Sequence, residues 1–433
     1  MLFGFCIPRG ILALALSLLL SPSNASENTV KGAESVIRSN DFSVIWNMPT
    51  ARCQRRYGVS LPLHQYNIIH NSEQRFLGMN MSIFYQRRLG LYPYINRKGS
   101  KVNGGVPQRG NLKSHLTLAE AQIKEVFKRT FSGLAVLDWE AWQPIWMWNF
   151  GNRMAYRRLS KQLVRWSHPE MLEEEVASEA KKEFETAATA FMAKTLHLGV
   201  HLCPEGLWGF YAFPSCYNNR GQGESGYTGQ CHNGTEKLND RLAKLWQEST
   251  ALYPSIYLLG KLAGHRDAQL MVRHRVLEAL RVASHHSPGS KALPVFPYAR
   301  VAFIRTLAFL NKTDLEHTLG ESAALGASGI VLWGELSFAK SKRQCTLLRN
   351  YLESVLGDYV AALQAAVRNC SNRLCNANGR CTRRDPHSGY MLPLHDNYKA
   401  DLLSDMRRKF KCVCYDGWSG GQCEKQERAN ALV

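Results

Sequence analysis

The sequence predicts an α/β chain: a distorted (β/α) TIM-like barrel followed by a small C-terminal, disulfide-rich EGF-like module. Three observations carry that expectation. Seven short apolar segments alternate with stretches of helical periodicity, as in barrels that wind strand and helix in turn. One of them, Leu134 to Leu137, runs into two carboxylates, Asp138 and Glu140, at the strand end where such barrels keep their chemistry. Six cysteines crowd between positions 370 and 423, too densely for anything but a stapled module or a metal site.

Taken in order, residues 1–25 read as a secretory signal peptide. Arg9 precedes an apolar run from Ile11 to Leu20, and Ser21, Pro22, Ser23 and Ala25 form the small-residue exit. The run is too short for a membrane span, which needs about 20 apolar residues. The last residues, 426–433, offer no apolar tail for a lipid anchor. The barrel domain is expected over residues 38–365. Phe42 to Trp46 reads as its first strand, and Ile83, Phe84 and Tyr85 end its second. A helix over Leu118 to Phe127 sets Leu118, Ile123, Val126 and Phe127 on one side.

After the acidic strand, Ser167 and Glu170 have the spacing of a capping box, with Pro169 in the first turn. The helix they would open carries Leu172, Val176, Ala180, Phe184, Ala188 and Phe191 as its buried stripe. Leu207 to Phe213, Pro254 to Tyr257, Leu293 to Ala299 and Ser328 to Trp333 complete the strands. Residues 366–425 form the C-terminal module. Its end, Cys412-Val-Cys414 through Gly417-Trp418 to Cys423, has EGF-like spacing, which implies pairs Cys370 with Cys381, Cys375 with Cys412 and Cys414 with Cys423. Between them, residues 382–411 make a loop long for such a module, expected to be mobile. No C-x-x-C pair is present for zinc, and neither a metal nor another cofactor is called for.

Composition narrows the function. An apolar fraction of 45% with 21% charged residues excludes a disordered chain. The formal charge of +19, from 54 Lys and Arg against 35 Asp and Glu, favours a polyanionic partner. A secretory chain with sequons at Asn80, Asn233, Asn311 and Asn369 meets acidic polysaccharide there rather than nucleic acid.

Asp138 and Glu140, two apart on a strand, share a face, and Trp139 points the other way. Two carboxyls pressed together hold a proton more easily than one alone. Trp142, Trp146 and Trp148 follow closely, and aromatic faces suit the apolar faces of sugars. A D-x-E triplet by itself is common at solvated strand ends. The apolar strand before this one and the aromatics after it point to action on sugar. Arg153, Arg157, Arg158, Lys161 and Arg165 follow and either flank a cleft or form a wet helix face.

Longer motifs carry a resemblance. Phe131-Ser-Gly-Leu-Ala-Val-Leu-Asp138-Trp-Glu140-Ala-Trp142, the run Leu207 to Tyr217, Tyr253-Pro-Ser-Ile-Tyr257, Gly320-Glu-Ser-Ala-Ala-Leu-Gly-Ala327, Val331-Leu-Trp333-Gly and the closing cysteine pattern resemble the vertebrate hyaluronidases, glycoside hydrolase family 56. The likeness spans Phe42 to Cys423.

It implies an endo-β-N-acetylhexosaminidase that cuts β-1,4 bonds of hyaluronan, and of chondroitin, with the substrate's acetamido group as nucleophile. Glu140 would be acid and base, Asp138 would orient the acetamido group, and Tyr257 would hold it. Tyr85, Tyr211, Trp333 and Arg275 match substrate-binding positions. The same resemblance implies disulfides Cys53 with Cys345 and Cys216 with Cys231, which, once Cys6 leaves with the signal, leaves Cys203 alone. Many members carry Arg where this chain has Gln143, so a hyaluronan-binding protein of little turnover is the competing expectation. The destination is the secretory pathway: secreted, lysosomal or acrosomal.

Overall fold

A computed structural model describes residues 42–219, 226–286, 292–394 and 402–427. The expected signal peptide, residues 1–25, lies outside them. Among the described residues no helix is long and apolar enough to cross a membrane.

Two parallel sheets build the barrel. In the first, β1 (Ser43–Asn47) lies between β2 (Ile68–His70) and β9 (Gly329–Trp333), and β9 also pairs with β8 (Tyr298–Arg300). In the second, β6 (Leu134–Asp138) is flanked by β3 (Met81–Tyr85) and β7 (Leu207–Phe210). A separate antiparallel pair, β4 (Tyr94–Ile95) and β5 (Lys101–Val102), sits in the connection after β3.

Both seams between the sheets are irregular, for identifiable reasons. From β7 to β8 the chain at 252–255 makes single bridges, Tyr211 to Tyr253, Leu252 to Val295 and Ser255 to Tyr298. Pro254, Pro294 and Pro297 have no N–H to give to a ladder, so they serve as acceptors only. Their carbonyls take bonds from Tyr298, Leu252 and Val331 at 2.8, 3.0 and 2.9 Å. Between β2 and β3 side chains replace the ladder, and Asn80 Nδ2 donates to His70 O at 2.7 Å. The buried Asn71 amide donates to Met81 O at 2.7 Å and accepts from Met81 N at 3.1 Å.

These seams correct the expected strands. Pro254 to Tyr257 is bridged rather than laddered, the ladder of Leu293 to Ala299 starts only at Tyr298, and β2, unforeseen in the sequence, takes its own place in the ring.

Side chains alternate between two environments, as strand geometry requires. Ile45, Met81, Ile83, Leu134, Val136, Leu207, Tyr253, Phe296, Tyr298 and Val331 fill the barrel interior. The intervening residues, among them Val44, Trp46, Ala135, Leu137 and Trp139, pack outward against the helices.

The helices depart from expectation at their ends. The first long one runs Leu112–Val126, with Asn111 Oδ1 accepting from Ser114 N at 2.9 Å as its cap, and Leu118 is exposed on it. Ser167 closes the helix Met154–Ser167 rather than capping the next. Pro169 disfavours a helical conformation at His168, so the chain breaks there. The next helix is Glu173–Leu202, where the Glu175 carboxylate accepts from Leu172 N at 2.9 Å and three acids occupy the first turn. Its stripe from Val176 to Phe191 is buried as expected, while Leu172 is exposed.

All five disulfides join the implied partners: Cys53 with Cys345, Cys216 with Cys231, Cys370 with Cys381, Cys375 with Cys412, and Cys414 with Cys423. Cys203 is free and buried. In the C-terminal module, β10 (Gly379–Arg383) pairs antiparallel with β11 (Phe410–Cys414). The helix Gly357–Leu374 runs unbroken from the barrel side into it, and Cys370, Leu374, Cys381 and Phe410 share one apolar cluster with barrel residues.

The long loop is more ordered than expected. Arg383 is buried against Glu321, and 402–409 is helical; only 395–401 lies outside the described residues.

Candidate active site

The C-terminal ends of the strands bring together the residues that the sequence singled out. Tyr85 ends β3, Asp138 ends β6 with Glu140 just beyond, Tyr211 follows β7, Tyr257 follows the bridged segment, and Trp333 ends β9. Tyr85, Tyr211, Tyr257 and Trp333 are half-buried on top of the barrel core.

They form a continuous wall. Trp333 Nε1 donates to Tyr85 Oη at 3.1 Å. Tyr257 and Trp333 lie nearly parallel, with ring centroids 5.9 Å apart, and Tyr211 and Tyr257 are 5.8 Å apart. Tyr211 Oη and Ser255 Oγ are hydrogen-bonded at 3.2 Å.

The two acids differ in environment. Asp138 is buried, and its Oδ1 has no hydrogen-bond partner among the described residues. Burial, reinforced by the charge of Glu140, pushes its carboxyl well above the ordinary aspartate range. Glu140 opens to solvent at the barrel mouth, yet the surrounding protein mass raises its carboxyl too. Arg153 partly opposes that rise, and its Nε donates to Glu140 O at 3.1 Å. The pair therefore titrates as a unit and keeps a proton at pH values where isolated carboxyls have lost theirs.

Other candidates take different places. Trp142, Trp146 and Trp148 are buried among helices rather than facing the cleft; Trp142 Nε1 donates to Pro93 O at 2.7 Å, and its ring stacks on Tyr92. Their position after the acids marks where the chain turns back into the core, so the sugar-facing aromatics come from other strands. Of the basic run, Arg153 alone bonds to the acidic pair's backbone. Lys161 and Arg165 pair with Glu173, and Arg157 lies over the Trp146 ring.

Arg275 donates to Asn218 Oδ1 and Ser255 O, both at 2.7 Å, and to Asn219 Oδ1 at 3.0 Å, which sets it behind the Tyr211–Ser255 wall. Gln143 is buried, tied through its backbone to Asn149, and its Oε1 lacks a partner among the described residues.

One residue escaped the sequence reading. Arg300, at the end of β8, holds its guanidinium 5.2 Å from the Trp333 ring and 5.8 Å from that of Tyr257. Its Nη2 is 2.8 Å from Glu335 Oε2, but neither atom meets hydrogen-bond geometry, so this is a charge pair only. The expected strand stopped at Ala299, one residue short; the rule that strand ends carry function would have found it.

Cleaving a glycosidic bond takes a proton donor that stays protonated at working pH and aromatic faces that hold the ring. The barrel mouth supplies both, and fold and site together define a glycoside hydrolase. Comparison with known proteins narrows that class. The chain belongs to the hyaluronidase family, whose profile matches residues 31–427. It is 45% identical to human Hyaluronidase-3 over 387 residues, 89% of this chain and 91% of that one. It is 40% identical to Hyaluronidase-1 of Sus scrofa over 410 residues, 90% of this chain and 94% of that one. Among solved structures, bee venom hyaluronidase in complex with a hyaluronic acid tetramer matches with a TM-score of 0.68 at 33% identity, covering 74% of this chain and 99% of that one.

Proposed function

We propose that this protein hydrolyses the β-1,4 bonds of hyaluronan, and of chondroitin, as a retaining, substrate-assisted endo-β-N-acetylhexosaminidase. The observation that carries the reading is the unequal acid pair: Asp138 buried with one oxygen unpartnered, Glu140 open to the cleft. Glu140 protonates the leaving glycosidic oxygen as the substrate's acetamido oxygen attacks the anomeric carbon. Asp138 accepts from the acetamido N–H and balances the positive charge that develops there, and the Tyr257 hydroxyl holds the same group. The Glu140 carboxylate then takes a proton from water as water opens the cyclic intermediate, with net retention. Tyr85, Tyr211 and Trp333 bind the sugars on either side of the cut. Arg275 supports that wall through Ser255.

Glu140→Gln is expected to lower cleavage by about a hundredfold or more, the usual worth of a general acid, while hyaluronan binding survives. Size analysis of the polymer after incubation between about pH 3 and 8, spanning the carboxyl titrations, decides the matter. Wild-type protein that shortens no hyaluronan there would sink the hydrolase reading. One observation favours a weaker second reading, a binder of little turnover: Gln143 brings no charge to the acids, so among the described residues Arg153 beside Glu140 supplies the positive charge.

The same proposal takes residues 1–25 as a signal, 38–365 as the catalytic domain and 366–425 as an EGF-like module. Five disulfides suit the oxidising secretory pathway, with secretion, lysosome or acrosome as end points. Of the proposed glycan sites, Asn233 and Asn311 are exposed, whereas Asn80 and Asn369 are half-buried.

A further inference from the structure

Away from the barrel mouth lies a pocket of about 730 Å³, whose lining includes Lys101, Gln108, Arg109, Leu159, Leu163 and Trp166. No carboxylate lines it, and neither Lys101 nor Arg109 is ion-paired among the described residues. Trp166 is 70% exposed, far more than a tryptophan with only a packing role, and Lys101 Nζ lies 5.9 Å from its ring centroid. In the same lining, both amide atoms of Gln108 are buried without a partner among the described residues. Such a state costs free energy, and a ligand hydroxyl that draws the side chain outward would relieve it.

We propose that this pocket is a second binding site for an acidic, uronate-bearing polysaccharide, distinct from the catalytic cleft. The apolar face of a sugar lies on Trp166, and Lys101 and Arg109 meet the carboxylates. The site rests on the polysaccharide reading above, and one helix joins it to the cleft. Arg153, which bonds to Glu140 O, caps the helix Met154–Ser167, and Trp166 lies thirteen positions further on. At 1.5 Å per residue that is about 20 Å, a distance that a polymer spans and a short oligosaccharide seated in the cleft does not.

The test uses the full chain carrying Glu140→Gln, so that binding is read without turnover. Hyaluronan polymer is titrated against this protein with and without Lys101→Glu, Arg109→Glu and Trp166→Ala. The three substitutions are expected to weaken polymer binding about three- to tenfold, and Trp166→Phe, which keeps a flat ring, to retain most of it. A parallel titration with chondroitin sulfate tells carboxylate from sulfate recognition: loss with either polymer supports the site, and loss with neither overturns it. In the otherwise wild-type chain, the three substitutions should raise KM for polymer and leave kcat and tetrasaccharide turnover unchanged. A fall in kcat at constant KM would place their effect in the cleft and overturn the proposal. Wild-type protein that cuts no hyaluronan would defeat the hydrolase reading alone, because the titration does not depend on turnover.

Discussion

Asp138 is buried beside Glu140, with one carboxyl oxygen that no donor among the described residues reaches, so its ionised form is disfavoured in the folded chain. Its folded pKa is therefore raised above the unfolded one, and between the two the folded state binds more protons. Stability contributed by this group is present below the unfolded pKa and falls as pH rises through that window. Asp138→Asn should remove the dependence, raising stability at neutral pH by about 1 kcal/mol or more while cleavage is lost. Thermal melts of both proteins from acid to neutral pH check the sign, and a variant that melts lower at neutral pH would contradict it. Cys203 gives a second residue-scale expectation. Burial raises its thiol, with Arg129 opposing, and its Sγ lies 3.6 Å from Lys128 O. Titration of unreduced protein lacking residues 1–25, and so Cys6, should find one thiol that reacts only after unfolding, and a freely reactive thiol in the native state would refute this burial.

At the scale of elements, the ring depends on its two seams. The proline-rich seam keeps its bonds by using carbonyls alone, which leaves Tyr257 and Ser255 on irregular backbone beside the cleft. The other seam hangs on two side-chain amides, Asn71 and Asn80, the latter donating from Nδ2 to His70 O at 2.7 Å. Removing the Asn71 side chain would strip a donor and an acceptor from the buried Met81 backbone. Asn71→Ala should thus cost about 2 kcal/mol or more, with Tyr85, at the far end of β3, displaced from Trp333. A lower denaturant midpoint together with reduced activity is the expected result; an unchanged midpoint would show that water replaces the amide.

Across the whole molecule, one buried carboxylate fastens the C-terminal module to the barrel. Glu321 accepts from Arg273 Nε and Arg383 Nη1 at 2.7 Å each and from Gln269 Nε2 at 2.8 Å. Burial alone would raise its carboxyl, but Arg383 and Arg273 outweigh burial and hold it below the ordinary glutamate value. A depressed pKa gives stability that is full above the unfolded value and is lost as pH falls through the folded one. Glu321→Gln leaves two guanidinium groups buried without their counter-charge, at a cost of about 3 kcal/mol. Its denaturant midpoint should drop at neutral pH and converge on wild type in strong acid. Equal midpoints throughout would remove Glu321 from the account.

The sequence by itself determined the local chemistry. An apolar strand ending in Asp138 and Glu140 needs only the two-residue alternation of a strand to put both acids on one face, and the C-terminal cysteine spacings were enough to imply that module's three pairs, whereas Cys53 with Cys345 and Cys216 with Cys231 came only from the resemblance. Tertiary structure decided what sequence distance conceals. Trp142, Trp146 and Trp148, adjacent to the acids in the chain, turn into the core, while Tyr257, Arg300 and Trp333, far along it, arrive at the cleft because a closed ring brings every strand end to one mouth. The Gly320 to Ala327 motif, legible as a resemblance, had no visible task until Glu321 met Arg383 from the module. Periodicity reports which face of an element is apolar; which neighbour covers it, and which polar group is left uncovered, depends on long-range packing that no local spacing encodes.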